Sequence, residues 1–407
     1  MKICVFTYGC RVNRYESDAI SRILIERGHE VVTELEYADV YVVNTCAVTR
    51  EAERKSRQSI SRIKKYNERA KILVCGCASQ KDKDSYARDG VVYISGTSDK
   101  MAVADMIESE GEGCFDISRE YEECKALSDR SKLYLKVQDG CNNFCSYCII
   151  PYLRGRSRSR DIARCIEEAK TSGAPEIVLT GINLSAYGAD KGYTLSDLIG
   201  KLADLDIRVS LGSLEVGVID GKLLSALKGL KHFCPHFHLS LQSGSDKVLK
   251  DMNRHYTRDV YIKAVELIKS YFKHPSITTD VIVGFPTESE EDFLDTVDLC
   301  KRVGFSDIHV FPYSKREGTV AYKLGELDGR IVKERVERLE RVRDELSCEY
   351  KNLMIGESAE VLIEEVQDYP VGYSERYVRV YIDGEAVVGD IKNVKIHRLY
   401  KDGVIAK

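Results

Sequence analysis

The chain has 407 residues with a formal net charge of −4, and 43% of them are hydrophobic. This length predicts two or three domains, and the lack of an 18-residue apolar run excludes a membrane-spanning helix. The acidic balance excludes nucleic-acid binding by the whole surface, so any RNA affinity must come from local basic patches. Because the first residues show no signal-peptide pattern, we expect a cytoplasmic protein. Its fourteen cysteines then predict metal ligands or free thiols rather than disulfides.

The first part of the chain alternates short apolar runs with segments of helical periodicity. The runs 2–8, 38–43 and 72–75 predict strands, and the segments 15–27, 52–70 and 100–108 predict helices. This alternation is typical of an open parallel α/β sheet. The segment 110–127 is acidic and contains glycines, which predicts a linker after an N-terminal domain of residues 1–115.

One cysteine follows each of the predicted strands, namely Cys10, Cys46 and Cys77. The carboxyl ends of strands in an open sheet point into the ligand crevice, so the three loops could bring their thiols together. Three thiolates would bind a [4Fe–4S] cluster and leave one iron open. Buried free cysteines are the alternative. Cys75 competes with Cys77, but we expect it to pack inside the sheet.

The surrounding patterns resemble a known family. Gly9-Cys10-Arg11-Val12-Asn13, Asn44-Thr45-Cys46 and Gly76-Cys77-Ala78-Ser79-Gln80 are similar to the N-terminal domain of the methylthiotransferases. These enzymes are two-cluster members of the radical S-adenosylmethionine superfamily. The resemblance implies that Cys10, Cys46 and Cys77 hold an auxiliary [4Fe–4S] cluster.

The predicted helix after Cys46 is basic, because residues 50–71 contain nine Lys or Arg against three Glu. One interpretation is a solvated surface helix. The other is a face that contacts RNA phosphates, which we favour because the rest of the chain is acidic.

The segment Cys141-Asn142-Asn143-Phe144-Cys145-Ser146-Tyr147-Cys148 places three thiols within eight residues. Soft thiolates at this spacing suit a metal or a [4Fe–4S] cluster better than a disulfide, with zinc or free thiols as alternatives. The C-x3-C-x2-C spacing resembles that of radical S-adenosylmethionine enzymes. The resemblance implies that Cys141, Cys145 and Cys148 hold a second [4Fe–4S] cluster. Its open iron would bind S-adenosylmethionine, which is cleaved to a 5′-deoxyadenosyl radical.

Six apolar runs alternate with helical segments through the middle of the chain. The runs are 133–137, 176–180, 208–211, 237–241, 278–283 and 307–311. Six parallel units predict a partial (β/α)6 barrel over residues 127–352, with its chemistry at the carboxyl ends of the strands. The cysteine loop follows the first of these strands, as the superfamily requires.

The loops after the other strands are candidates for binding S-adenosylmethionine. Glycine lets the backbone approach a cofactor, polar side chains can bind ribose, and arginine suits a carboxylate. Glycine and proline can also simply end strands. The similarity of 239–245 and 284–287 to the family favours the cofactor. The candidate residues are Thr180, Gly181, Ser213, Glu215, Gln242, Arg254 and Gly284.

Two further patterns leave alternatives open. His236 and His238 are two residues apart on a predicted strand and point the same way. We expect a hydrogen-bonded pair inside the barrel rather than a metal site. Residues 154–160 contain four arginines. These could contact substrate phosphates bidentately or join two domains.

The last part of the chain, residues 353–407, alternates apolar and polar residues over 358–364, 377–382 and 393–399. This pattern predicts a small antiparallel β-barrel. It resembles the TRAM domain, an RNA-binding module. The residues expected to contact RNA by stacking or by charge are Tyr373, Arg376, Tyr377, Arg379, Lys392, Lys395, His397 and Arg398.

The whole chain resembles the threonylcarbamoyladenosine branch of the tRNA methylthiotransferases, chiefly through 9–17 and 47–49. The resemblance implies addition of a 2-methylthio group to N6-threonylcarbamoyladenosine at position 37, in the anticodon stem-loop of tRNA. It further implies two [4Fe–4S] clusters, S-adenosylmethionine, an electron donor and a sulfur donor. The same chemistry on isopentenyladenosine in tRNA or on a ribosomal-protein aspartate remains open. A non-catalytic iron–sulfur protein that binds RNA is a further alternative.

Overall fold

The computed structural model describes residues 1–127 and 131–407; residues 128–130, at the start of the predicted central domain, lie outside the described residues. The first six strands are β1 (Lys2–Thr7), β2 (Glu30–Val32), β3 (Val40–Thr45), β4 (Lys71–Gly76), β5 (Val91–Ile94) and β6 (Gly111–Glu112). They form one sheet in the order β2-β1-β3-β4-β5-β6, and every pair is parallel. The helices between them are α1 (Arg11–Glu26), α2 (Arg50–Ile63) and α3 (Cys77–Lys81), with 3-10 turns at Asp84–Tyr86 and Lys100–Met106.

This sheet is covered on both faces. Every residue of β3 is buried, as expected for a central strand of a parallel sheet with helices on each side. The predicted parallel α/β sheet is confirmed. Three strands of only two to four residues were not predicted, β2, β5 and β6, although β5 is an apolar run. The segment predicted as a linker supplies the edge strand β6.

The middle of the chain contains two further sheets. Their strands are β7 (Lys132–Asp139), β8 (Arg158–Ser159), β9 (Glu176–Gly181), β10 (Arg208–Leu211), β11 (His232–Phe233), β12 (His236–His238), β13 (Ser276–Val283) and β14 (Asp307–Pro312). The orders are β11-β10-β9-β7-β8 and β12-β13-β14, and only β8 runs antiparallel. Backbone hydrogen bonds from Leu214 to His238 (2.8 Å) and from Ser240 to Leu214 (3.0 Å) join the two sheets. All six predicted parallel strands are therefore present and follow one another in space.

Eight helices accompany these strands. They are α4 (Ile150–Arg154), α5 (Ile162–Thr171), α6 (Leu195–Leu202), α7 (Gly221–Lys228), α8 (Asp246–Asp251), α9 (Arg258–Tyr271), α10 (Glu290–Val303) and α11 (Gly329–Leu353). Their apolar faces bury one large core, which includes Leu135, Ile177, Leu198, Leu239 and Phe293. None of the helices in the described part of the chain combines the length and apolarity needed to cross a bilayer.

The C-terminal strands are β15 (Ser358–Val366), β16 (Pro370–Ser374), β17 (Arg379–Ile382), β18 (Ile391–Tyr400) and β19 (Gly403–Ala406). They close into a small barrel in the order β15-β16-β17-β19-β18. The prediction that the barrel is antiparallel is wrong for one pair of strands, because β17 pairs with β19 in parallel. The side chain of Arg208, on β10, donates to the carbonyls of Glu360 (2.9 Å) and Tyr373 (3.1 Å) and so holds the barrel against the central sheet.

Candidate functional site

The three N-terminal cysteines follow adjacent strands. Cys10 precedes α1, Cys46 comes directly after β3, and Cys77 opens α3 directly after β4. Because β1, β3 and β4 are neighbours in the sheet, these loops meet, and all three cysteines line one cavity of about 340 Å³. Cys75 is instead a residue of β4, is buried in the core and does not line that cavity.

Two glycines let these loops come close. Gly9 has a φ of +102°, and a Cβ at this position would lie 2.7 Å from Sγ of Cys46. Gly76 has a φ of +112°, and its Cβ would lie 2.5 Å from the carbonyl oxygen of Thr45. A left-handed backbone and such short contacts exclude every residue with a side chain from an unstrained fit. The glycine before Cys10 and the glycine before Cys77 are thus part of the site.

The second cysteine set, 141–148, lies in the loop between β7 and α4. The amide nitrogen of Asn253 donates to the carbonyls of Asn143 (3.0 Å) and Phe144 (3.1 Å). Asn253 can reach both because it adopts a left-handed φ of +56°, which asparagine tolerates better than most residues. The segment after α8 therefore fixes the shape of the cysteine loop.

Polar side chains donate hydrogen bonds to the sulfurs of both sets. The pairs are Arg254–Cys145 (3.2 Å), Asn183–Cys141 (3.7 Å) and Arg154–Cys77 (3.3 Å). Cationic donors at sulfur favour the thiolate, and hydrogen bonds to sulfur tune the potential of iron–sulfur centres. Both cysteine sets thus have surroundings suited to anionic metal ligands.

All six cysteines line the same 340 Å³ cavity. Among the described residues, no three thiols have their sulfur atoms all within 4.8 Å of one another. Thiolates on one tetrahedral zinc ion lie about 3.8 Å apart, given Zn–S bonds of about 2.3 Å. The described thiols therefore do not have the spacing of ligands to a single tetrahedral ion. Burial raises the pKa of Cys46 and Cys148 to about 12, so metal binding must displace their protons.

Five of the seven residues predicted to bind S-adenosylmethionine lie around this cavity or the adjoining one. Gly181, Ser213, Glu215 and Arg254 line the cavity of the six cysteines, and Thr180 lines the adjoining cavity. Arg254 pairs with Glu215 (2.8 Å). Arg254 was predicted to bind the carboxylate of S-adenosylmethionine. In the structure it pairs with a carboxylate of the protein, that of Glu215.

The other two candidates lie elsewhere. The backbone nitrogen of Gln242 donates to the carbonyl of Asp280 (2.8 Å) and continues the sheet. Gly284 packs against α11, where an added Cβ would lie 2.6 Å from Val332. Neither residue lines the cysteine cavity, and their assignment to S-adenosylmethionine stays a prediction.

A second cavity of about 730 Å³ adjoins the first, and Cys10, Gly181, Ser213 and Asp280 line both. It extends between the central strands and the C-terminal barrel. Its other polar lining residues include Arg11, His236, His238, His309 and Tyr377. This space is large enough for a nucleoside beside the cysteine cavity.

His236 and His238 both bond Oγ1 of Thr278, at 2.9 Å and 3.0 Å. The predicted hydrogen bonds are present, but His238, Asp280 and His309 also place three ligand atoms within 4.8 Å of one another, the spacing of a metal site. His238 also lies 3.2 Å from Asp280, which His309 approaches at 3.1 Å from the other side. The carboxylate of Asp280 is thus held between two imidazoles.

Three of the four arginines in 154–160 join different parts of the protein. The ion pairs are Arg154–Glu16 (2.9 Å), Arg154–Asp139 (3.0 Å), Arg158–Asp139 (3.2 Å), Arg160–Glu123 (2.9 Å) and Arg160–Glu168. Arg156 alone is exposed, with its guanidinium 4.5 Å from the ring centroid of Phe144. Of the two open interpretations, domain contact applies to Arg154 and to Arg160, which also donates to the hydroxyl of Tyr15 (3.3 Å), whereas Arg158 pairs within the central domain.

Sequence reasoning missed several residues of the site. Glu16 and Asn143 lie within quoted patterns and Asn253 directly precedes Arg254, but none of the three was given a role, because their partners are distant in the chain. Arg11 was quoted within the Gly9–Asn13 pattern but was given no role. Its position directly after Cys10 was the one available signal.

Comparison with known proteins agrees with this geometry. Residues 2–94 match the uncharacterized protein family UPF0004, and residues 135–300 match the radical SAM superfamily. The chain is 38% identical to the threonylcarbamoyladenosine tRNA methylthiotransferase MtaB of Bacillus subtilis, over 97% of this chain and 93% of that protein. It is 37% identical to the protein of the same name from Aquifex aeolicus, over 97% of this chain and all of that protein.

Relatives with another name also match. The tRNA-2-methylthio-N(6)-dimethylallyladenosine synthase of a Thermoanaerobacter species is 35% identical, over 96% of this chain and 89% of that protein. In structure, the chain resembles the radical S-adenosylmethionine methyltransferase TsrM of Kitasatospora setae. That match has a TM-score of 0.54 and 13% identity, over 76% of this chain and 74% of that one. The identities over nearly the full length show that the chain belongs to the tRNA methylthiotransferase family of radical S-adenosylmethionine proteins, alongside the MtaB proteins.

Proposed function

We propose that this protein replaces the C2 hydrogen of N6-threonylcarbamoyladenosine at position 37 of tRNA with a methylthio group. The observation that carries the proposal is the single cavity lined by two sets of three cysteines. A ring C–H at this position is too weakly acidic for ordinary base catalysis, so the reaction needs a radical. One site must generate that radical and another must supply sulfur, and two metal centres in one cavity meet both needs.

We assign Cys141, Cys145 and Cys148 as ligands of the cluster that binds S-adenosylmethionine, and Cys10, Cys46 and Cys77 as ligands of the auxiliary cluster. When bound, the first cluster would supply the electron that cleaves S-adenosylmethionine to the 5′-deoxyadenosyl radical, and the second would hold the sulfur to be transferred. The chain's own residues hold the loops in place, and Arg254 and Arg154 donate to one sulfur in each set. Thr180, Gly181, Ser213 and Glu215 are the proposed contacts to S-adenosylmethionine, with Gln242 and Gly284 as more distant candidates.

The proposed division of the chain is an N-terminal methylthiotransferase domain of residues 1–115, a radical S-adenosylmethionine core of residues 127–352 as a partial (β/α)6 barrel, and a TRAM domain of residues 353–407. The last would bind the anticodon stem-loop. The reaction also consumes electrons and sulfur, so an electron donor and a sulfur donor are required partners. A tRNA substrate places the proposed activity in the cytoplasm.

Cysteine variants test the assignment. Cys145→Ala should abolish 5′-deoxyadenosine formation, because the radical-forming cluster loses a ligand. Cys46→Ala should spare 5′-deoxyadenosine and stop methylthio product. Iron in anaerobically reconstituted protein should fall from about eight atoms per chain to about four in either variant. Cys75→Ala, at the buried non-lining cysteine, is the matched control and should keep all the iron.

The substrate is tested with anticodon stem-loops that carry either threonylcarbamoyladenosine or dimethylallyladenosine. Mass analysis of the nucleosides should find the methylthio form of the first. Product from the dimethylallyl substrate alone would reassign the protein to the other group of relatives. Methylthio product from Cys46→Ala would remove the auxiliary role of that cysteine set.

A further inference from the structure

The 730 Å³ cavity contains a guanidinium without an acidic partner. Arg11 lines this cavity, and among residues 1–127 and 131–407 no carboxylate forms an ion pair with it. The guanidinium carbon of Arg11 lies 6.0 Å from the ring centroid of Tyr134. Because a half-buried cation is costly unless it is paired, this position suggests that a ligand supplies the missing anion.

The carboxylates that line the same cavity are not free to pair with Arg11. Asp280 lies between His238 (3.2 Å) and His309 (3.1 Å). Asp402 accepts from the hydroxyl of Tyr381 (2.6 Å) and pairs with Arg379 (3.4 Å). Asp307 lies 3.9 Å from His309. Asp280 and Asp402 are therefore hydrogen-bonded by other side chains, Asp307 has the imidazole of His309 nearby, and none of the three forms an ion pair with Arg11 among the described residues.

Arg11 is also close to the reaction centre. It follows Cys10 in the chain, and Cys10 lines both cavities. The charge of Arg11 acts on His236, which lines the same cavity. Burial lowers the pKa of His236, and the neighbouring charges of His238 and Arg11 lower it further. A base whose C2 atom faces the cysteine cavity would therefore have its other substituents within the space that Arg11 lines.

The two substrates in the names of the relatives differ in charge. A threonylcarbamoyl substituent ends in a carboxylate, whereas a dimethylallyl substituent is a hydrocarbon. A guanidinium binds a carboxylate with two parallel hydrogen bonds and gains nothing from a hydrocarbon. One unpaired arginine can therefore favour the first substrate and disfavour the second.

We propose that Arg11 binds the carboxylate of the threonylcarbamoyl group and so sets the substrate specificity of the enzyme. The inference rests on the proposed function and refines it. Lys351 is the competing residue, because it lines the same cavity and forms no ion pair within the described part of the chain. It lies at the end of α11, near the C-terminal barrel rather than beside Cys10.

The test compares two anticodon stem-loops, one with threonylcarbamoyladenosine and one with its threonine methyl ester, which lacks the charge. Cluster-loaded wild-type protein should prefer the free acid. Arg11→Gln should raise KM for the acid about 10- to 100-fold and leave KM for the ester unchanged. KM does not depend on the fraction of protein that carries clusters. Fluorescence anisotropy of the labelled RNAs gives the same comparison without turnover.

Arg11→Lys, which keeps the charge but not the planar fork, should recover part of the preference for the acid. Arg14→Gln is the matched control, since Arg14 lies on the same helix, pairs with Asp18 (3.0 Å) and does not line the cavity. An equal rise in KM for acid and ester would overturn the inference, as would a preference for the acid that depends on Lys351 instead. A wild-type protein without methylthio product on the acid would instead reject the proposed function.

Discussion

Arg154 contacts groups from two parts of the protein although it is fully buried. Its guanidinium donates to Asn13 (2.7 Å) and Glu16 (2.9 Å) on α1 and to Asp139 (3.0 Å) at the end of β7. The same group donates to the sulfur of Cys77 (3.3 Å). One side chain therefore sets the position of the auxiliary cysteines relative to the cysteine loop.

The charges around Arg154 balance one another. Burial alone would raise the pKa of Glu16, but Arg154, Lys100 and Lys136 outweigh burial and hold that pKa well below its usual range. Lys136 lies 2.8 Å from Glu16 and 2.8 Å from Asp139. Removal of Arg154 would leave both acids with the ammonium of Lys136 but without the hydrogen bonds of the guanidinium.

We predict that Arg154→Met lowers the free energy of unfolding by about 1.5–3 kcal/mol, because Glu16 and Asp139 each lose a charge-assisted hydrogen bond although Lys136 still bridges them. The urea midpoint of anaerobically purified protein measures this loss. Arg156→Met is the control, because Arg156 is exposed and its guanidinium contacts only the ring of Phe144 among the described side chains. Its loss should lower the free energy of unfolding by less than about 1 kcal/mol. Equal midpoints for the two variants would show that the buried network contributes nothing to stability.

At the scale of elements, the turn between β1 and α1 decides whether the auxiliary cysteines can share a centre. Gly9 occupies a backbone conformation that favours glycine, and it faces the sulfur of Cys46. The turn therefore has two separate requirements, one on φ and one on space. Gly28, at the other end of α1, has a φ of +85° but no atom within 4 Å of an added Cβ.

Alanine variants of Gly9 and Gly28 distinguish the effect of the backbone conformation from the effect of the contact with Cys46. Gly9→Ala should displace Cys46 and reduce iron from about eight atoms per chain to about four, while 5′-deoxyadenosine formation is kept. Gly28→Ala should cost about 1 kcal/mol of stability from backbone strain and retain all the iron. Iron analysis after anaerobic reconstitution, with 5′-deoxyadenosine measured by mass spectrometry, decides between these outcomes. Full iron in Gly9→Ala would mean that the turn tolerates a side chain beside Cys46.

At the scale of the whole molecule, the sequence predicts those features that depend on the spacing of residues close together in the chain. Strand-end cysteines could be located because a run of apolar residues followed within a few positions by a cysteine is a local pattern, with a glycine directly before Cys10 and Cys77. The pairing of Arg154 with Glu16 could not be, because no local pattern states which distant acid an arginine meets. The strand order and the shared cavity also depend on contacts between segments far apart in the chain.

The C-terminal barrel shows the same limit. Tyr373 and Tyr377 were expected to stack on RNA bases, but their rings stack on each other, with centroids 4.7 Å apart. Tyr377 also stacks on His236 at 4.7 Å, so this aromatic column lines the inner cavity. The alternation of aromatic and basic residues predicted the strands and their polar face. The groups that this face contacts belong to the central sheet, which is distant in the chain.

Two basic surfaces therefore remain for the phosphates of tRNA, helix α2 and strand β18. On α2, Arg54 (2.6 Å) and Lys55 (3.6 Å) both pair with Glu51. On β18, Lys395 and Arg398 are exposed and form no ion pair with any residue of the described ranges. Arg54 and Lys55 must first give up Glu51, whereas Lys395 and Arg398 have no such partner, so these two β18 residues are more available to phosphate than the α2 pair.

The double variant Lys395→Gln/Arg398→Gln should weaken tRNA binding and reduce the slope of log K against log salt by about 1.5, because each lost phosphate contact contributes about 0.7–0.9. Arg54→Gln/Lys55→Gln is the matched control, with the same change in charge and a smaller expected change in slope. Filter binding at four salt concentrations measures both slopes. A reduced slope in the α2 variant alone would assign the RNA backbone to the N-terminal helix, and the barrel would then act on the base through its aromatic column rather than on the phosphates.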